Sequence, residues 1–146
     1  MKDEMMMFDF GYGNGLVAAY RWINAGGHEG GIVADGATVA EGAYIGYGAT
    51  VAFGAIVGEG AIVAEGTIVG EGAIIGRWVS IGDRASISHG ATIGDRVGIC
   101  ECACIGQDVR IGDGAYIGAF AYIGAGSTVE DGAFVGDRVS IDDGAS

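Results

Sequence analysis

The sequence predicts an all-β solenoid, a prism of short strands stacked by repetition, and three observations carry that expectation. Glycine supplies 31 of the 146 residues and proline none, an excess that must sit at recurrent turns because ordinary chains hold only about 7% glycine. From Val33 to Ser146 the chain reads as nineteen consecutive six-residue units, VADGAT to IDDGAS, without insertion or deletion. Every unit opens on Ile or Val, and its fifth residue is always Ala, Val, Ser or Thr. The competing classes fail on the same facts. Collagen needs glycine at every third residue with abundant proline, and a helical bundle would lose about 1 kcal/mol for each interior glycine. A solvated coil does not carry a mean hydropathy of +0.40.

Residues 1–32 lie outside the repeat register and form the first expected unit, a capping or docking segment. Its apolar anchors Met5, Met6, Met7, Phe8, Phe10, Tyr20 and Trp22 are separated by glycine-rich turns. The Met5–Phe8 run follows Lys2-Asp3-Glu4, which lacks the positive charge of a secretory leader. Cytoplasmic synthesis is the default expectation, with an extracellular fibre left open. No apolar run approaches the roughly 20 residues that span a bilayer, so no membrane insertion is expected.

Residues 33–146 form the second unit, and each position of the hexad has a physical reason. A β-branched residue at position one packs well in a short, half-buried strand. A small residue at position five suits an inward corner. Glycine at position four, present in twelve units, gives the chain a positive backbone angle without a Cβ clash. Where position five is Val79, Val97, Val109 or Val139, position four is Trp78, Arg96, Asp108 or Arg138, which suggests a second corner type. A six-residue unit cannot bury its own apolar face, so the units must stack.

This pattern resembles the hexapeptide-repeat family, with the nineteen hexads carrying the resemblance. It implies a left-handed parallel β-helix with three hexads per triangular coil, hence about six coils of 18 residues. Many members of that family are acyltransferases that use a histidine as general base, often near an inserted loop. His89, in ISHGAT, is the one candidate within the repeat, and no inserted loop interrupts the hexads near it. The family's carbonic-anhydrase branch holds zinc on three histidines, whereas this chain has only His28 and His89. The stretch from Gly13 to Val39 also resembles the entry segment of short bacterial and phage hexapeptide proteins of unassigned role.

With 18 residues per coil, position six forms outward columns. Tyr44, Ile62, Tyr116 and Phe134 share one of these, and Ile56, Ile62, Ile68 and Ile74 form a band around the prism. A contiguous apolar patch of this kind marks contact with another chain, so these seven residues are the expected lateral interface. A Thr38–Thr92–Thr128 ladder that would suit ice binding is interrupted by Ile56, Ile74 and Arg110. Position three is Asp or Glu in twelve hexads, which reads as a solvated acidic corner with weak divalent-cation binding as the alternative. Cys100, Cys102 and Cys104 fall in one hexad, ICECAC. They read as free thiols, or as part of a zinc site that lacks its fourth ligand. Seven Lys plus Arg against 19 Asp plus Glu give a net charge of −12, which opposes nucleic acid and anionic membranes.

The ends then weigh most in the functional expectation. Solenoids cover their terminal edges to prevent growth, and the final hexad here is followed by no capping segment. The expectation is therefore a non-enzymatic, self-assembling structural subunit without cofactor. Such a subunit would stack head to tail into filaments through Ile141, Ala145 and Ser146 and the apolar N-terminal anchors. The alternatives are a trimeric acyltransferase using a coenzyme A thioester with His89 as base, and a decoration or binding module on a phage or cell surface.

Overall fold

A computed structural model describes residues 1–146, and all of its regular elements are strands. No helix is long and apolar enough to cross a membrane. Strands β1 (Lys2–Asp9) and β2 (Leu16–Ile23) form an antiparallel hairpin, and β2 pairs antiparallel with β3 (Glu29–Ala34). Eighteen two-residue strands follow, from β4 (Thr38–Val39) to β21 (Ser140–Ile141). They sort into three parallel sheets, the faces of a triangular β-solenoid of about six coils. The first face runs from the hairpin through β3, β6 (Thr50–Val51), β9 (Ile68–Val69), β12 (Ser86–Ile87), β15 (Cys104–Ile105) and β18 (Tyr122–Ile123) to β21. The second begins at β4 and the third at β5 (Tyr44–Ile45). Ile74 lies opposite both Ile56 and Thr92, which fixes the coil at 18 residues.

The hexad positions take the places their chemistry dictates. Position one fills the interior in a single cluster with the small position-five residues, from Val33 to Val135. Position six points outward on all three faces. Position four is left-handed in every hexad except that of Gly42. Seven non-glycine residues adopt this conformation too, including Trp78, Arg96 and Phe120 at φ 58–60°, at a cost of roughly 1–2 kcal/mol each. The corners that carry Val do differ, but in their inner turn. The amide of position five donates to the carbonyl of position two at every Ala, Ser and Thr corner, within 3.4 Å. Val79, Val97 and Val109 do not make that bond, and Val139 makes it at 3.3 Å. The bulkier residue goes with an open turn at three of the four Val corners.

Position-two glycine has a different cause from position-four glycine. At Gly94 an added Cβ would stand 2.4 Å from Asp113 Oδ1 and 2.8 Å from Asp113 N in the next coil. The backbones of successive coils approach equally closely at Gly46, Gly70 and Gly82, and at Gly94 a position-three aspartate also leans across the gap. The Asp95, Asp113 and Asp131 carboxylates accept hydrogen bonds from the amides of Arg77, Asp95 and Asp113 at 2.8–2.9 Å. Asp137 and Asp143 do the same for Ala119 and Ala125 at 3.0 Å. In each case position two of the accommodating coil is glycine. Five of the twelve acidic corner residues thus cap amides of the preceding coil, and no group of three or more His, Cys, Asp or Glu side chains stands in metal-binding geometry.

The N-terminal segment pairs with the chain's own first face through β3. Trp22, expected at an axial interface, is 2% exposed in the chain's own core. Asn24 closes the first coil, donating to Ile45 O at 2.8 Å and accepting from Ile45 N at 2.9 Å. Its side chain stands in for a missing strand. Tyr20 is half-buried beneath Lys2, whose ammonium lies 4.9 Å from the ring centroid. Met5 and Met7 remain exposed, with Met6 and Phe8 half-buried. At the far end Ile141 and Ala145 are half-buried and Ser146 is exposed.

Candidate functional site

The hairpin strands β1 and β2 outrun β3, so their tip overhangs the corner that follows the first face. The tip reads Phe10-Gly11-Tyr12-Gly13-Asn14-Gly15, and its three glycines hold φ values of 89°, 83° and 67°. Gly11 N donates to Asp9 Oδ1 at 2.8 Å, which starts the turn. Phe10 packs on the core and meets Phe8 edge-to-face at 4.7 Å. Asn14 Nδ2 donates to Glu71 Oε2 at 3.0 Å, tying the tip to a coil 57 residues away.

Position three of this corner forms a column: Asp35, Phe53, Glu71, His89, Gln107, Ala125 and Asp143. His89 is exposed and stacks one coil beyond Glu71, with Gly90 N donating to Glu71 O at 3.0 Å. Between the tip and the first face runs a groove of about 590 Å³, walled by Phe10 and Tyr12, with Ile68, Ser86, Cys104 and Tyr122 on its floor and His89 and Gln107 on its rim. The tip supplies from the N-terminus the flanking loop that is missing from the hexads. Tyr12 also lines a second pocket beside Glu71. Its phenol is held above the usual tyrosine value, first by burial and then by the Glu71 charge.

The remaining sequence candidates scatter. Ile68 lies in the groove, Ile56 and Ile74 on the second face, and Tyr44, Ile62, Tyr116 and Phe134 on the third, all exposed. Tyr116 and Phe134 stack at 5.0 Å. The cysteines are free. Cys100 Sγ and Tyr116 Oη are hydrogen-bonded at 2.9 Å, and the Tyr116 phenol is pushed up first by that bond and then by the Cys100 charge. Cys104 opens into the groove instead, so the three thiols do not converge. Sequence reasoning missed the meeting of Tyr12, Asn14 and Glu71 at the hairpin tip, one coil before His89. The 18-residue spacing from Glu71 to His89 was readable, but the path of the tip carries no repeat signal.

The three parallel faces and unbroken hexads define a repeat-built β-solenoid. Residues 108–145 match the family model described as bacterial transferase hexapeptide (six repeats). The chain is a hexapeptide-repeat protein. No curated protein matches it significantly. Among solved structures it is similar to the acetyltransferase domain of PglB from Neisseria gonorrhoeae in complex with acetyl coenzyme A. That likeness has 26% identity over 77% of this chain and 54% of that one, with a TM-score of 0.51. The chain therefore spans about half the length of that structure. It is also similar to a perosamine N-acetyltransferase variant from Caulobacter crescentus in complex with CoA and GDP-perosamine, at 21% identity, 84% and 54% coverage and a TM-score of 0.48. A UDP-N-acetylglucosamine acyltransferase from Campylobacter jejuni follows at 16% identity, 74% and 66% coverage and 0.44. At that level neither adds to the first.

These findings overturn the expectation of a non-enzymatic, filament-forming structural subunit. A solved structure that this chain resembles, at a TM-score of 0.51, is an acetyltransferase domain in complex with acetyl coenzyme A. The aromatic segment expected to link successive subunits is spent on the chain's own first coil, with Trp22 as its plug.

Proposed function

We propose that the protein is an acyltransferase that uses a coenzyme A thioester, with His89 as the general base. The observation that carries this reading is an exposed histidine on the rim of a groove between the solenoid face and the hairpin tip, in a chain similar to an acetyl coenzyme A-bound acetyltransferase domain. In the reaction, the imidazole of His89 removes the proton of an acceptor amine or hydroxyl as that atom attacks the thioester carbonyl. The carbon–sulfur bond then breaks, and the departing thiolate takes a proton. Glu71 stands one strand spacing away, about 4.8 Å along the prism, and its negative charge favours the positive charge that develops on the imidazole. Asn14 fixes that carboxylate, which makes Glu71 a positioning residue. Ser86 and Tyr122 offer hydroxyls on the groove floor.

The exposed apolar residues of the second and third faces support a homo-oligomer, and a trimer would bring these flat faces together. The test is calorimetry with acetyl coenzyme A, followed by release of free thiol in the presence of amino-sugar acceptors. The wild type should bind the thioester. His89→Ala should bind it equally but transfer about 10²–10⁴-fold more slowly. Absence of any binding heat would refute the reading.

A further inference from the structure

The pocket on the other side of the hairpin tip has a composition of its own. It holds about 300 Å³ between the tip and the first coils, lined by Phe10, Tyr12, Val17 and Phe53 and by the carboxylates of Asp35 and Glu71. This volume lies at the lower end of small-molecule sites, which run from about 300 Å³ upward. Asp35, Phe53 and Glu71 occupy the same corner position in three successive coils, so an aromatic ring lies between two carboxylates. Phe53 packs against Gly36, where an added Cβ would come within 2.4 Å of the ring's Cε2. The chain's single ion pair joins the Met1 amino group to Glu41 at 3.7 Å, so neither pocket carboxylate has a cationic partner from the protein.

We infer that this pocket binds a small organic ammonium ion with an apolar body, the cation over Phe53 and between Asp35 and Glu71, and the body against Phe10 and Tyr12. The spacing selects this class over a metal ion. Two coils separate the carboxylates by roughly 10 Å along the axis, while a divalent cation needs its oxygen ligands at about 2.0–2.6 Å. An alkylated ammonium is a larger, softer charge that a ring face attracts directly. The single Asn14–Glu71 tie and the three tip glycines give the ligand a way in. Asn14 takes one oxygen of Glu71 and leaves the other for the ligand. Phe10 and Tyr12 border both this pocket and the His89 groove, but the inference does not rest on acyl transfer, since it uses neither His89 nor a thioester.

The experiment titrates the intact protein with benzyltrimethylammonium, followed by calorimetry and by proton NMR of the aromatic residues. Benzyl alcohol and phenylacetate serve as neutral and anionic counterparts. Saturable one-to-one binding is expected for the ammonium alone. It should weaken by about tenfold in the Asp35→Asn/Glu71→Gln double variant and severalfold in Phe53→Leu. Asp35→Asn by itself, which leaves the Asn14 tie intact, should also weaken it. Glu101→Gln, which removes an exposed carboxylate at a different corner, should leave binding unchanged. Equal affinity for benzyl alcohol, or a double variant within twofold of wild type with an unaltered circular dichroism spectrum, would overturn the inference. So would a loss in Glu101→Gln as large as that in the double variant, because it would mean diffuse attraction to an acidic surface.

Discussion

Replacing Gly94 by alanine adds one methyl group, and the structure sets its cost through three atoms of the next coil. The new Cβ would meet Asp113 Oδ1 at 2.4 Å and Asp113 N at 2.8 Å, with Gly112 C at 3.0 Å. The carboxylate could swing away, but it would then abandon the Asp95 amide it accepts from at 2.8 Å. The backbone atoms cannot swing, so the coils must separate locally. Losing a charge-assisted hydrogen bond at an exposed corner costs about 1–1.5 kcal/mol, and forcing a methyl into a filled gap costs about 1–3 kcal/mol. The expected sum is about 3 kcal/mol, against a total stability of about 7–15 kcal/mol for a chain of this length. Gly42→Ala is the internal control. Its Cβ would meet only Gly60 N at 3.9 Å, and its backbone is the one position four that is not left-handed. It should be neutral or slightly stabilising. Urea unfolding followed by far-ultraviolet circular dichroism reads both. Equal midpoints for the two variants would refute the account of close coil approach.

The N-terminal closure makes a second expectation: Asn24→Leu removes both bonds to Ile45 from a buried site and should cost about 2–4 kcal/mol by the same unfolding assay. Trp22→Ala should cost about 3–5 kcal/mol, because it empties the plug of the first coil. Tyr12 titrates above the usual tyrosine value because its protonated form is favoured in the fold. The stabilisation that follows is fully present below the unfolded value near 10 and is lost as pH rises through the folded one. In a difference titration against Tyr12→Phe, Glu71→Gln should lower the Tyr12 midpoint yet leave it raised, since burial is the larger cause.

The hexad arithmetic made most of the prism legible before any coordinate. Ile or Val at position one and a small residue at position five point inward because only those shapes fill a narrow triangular interior. The outward place of position six follows from strand alternation. Two features were beyond it. The aspartate ladder joins residues 18 apart but depends on the residue before its partner: Asp113 bridges to Asp95 over Gly94, whereas Asp83 faces Ala64 and makes no such bond. A column-by-column reading does not expose that diagonal. The hairpin tip follows no period at all, and only its Asn14–Glu71 bond brings Tyr12 to the corner where His89 stands. The open-ended filament expectation failed for a related reason. Aromatic residues outside a repeat were read as connectors, when Trp22 and Asn24 are shaped to complete the chain's own first coil.

The 18-residue register also makes the length of this prism a quantised property. A whole coil inserted between Val69 and Glu71 would lengthen the column and leave every face composed as before. A single hexad inserted there would preserve each inward Ile and Val, and so the fold. It would nevertheless turn everything downstream by one third, carrying His89 to another edge while Phe10 and Tyr12 stayed behind. Folding tolerates steps of six in this architecture. Steps of eighteen also keep His89 on its edge, but each one carries Glu71 and His89 about 4.8 Å farther from the hairpin tip. A site shared between tip and coils therefore depends on the exact coil number.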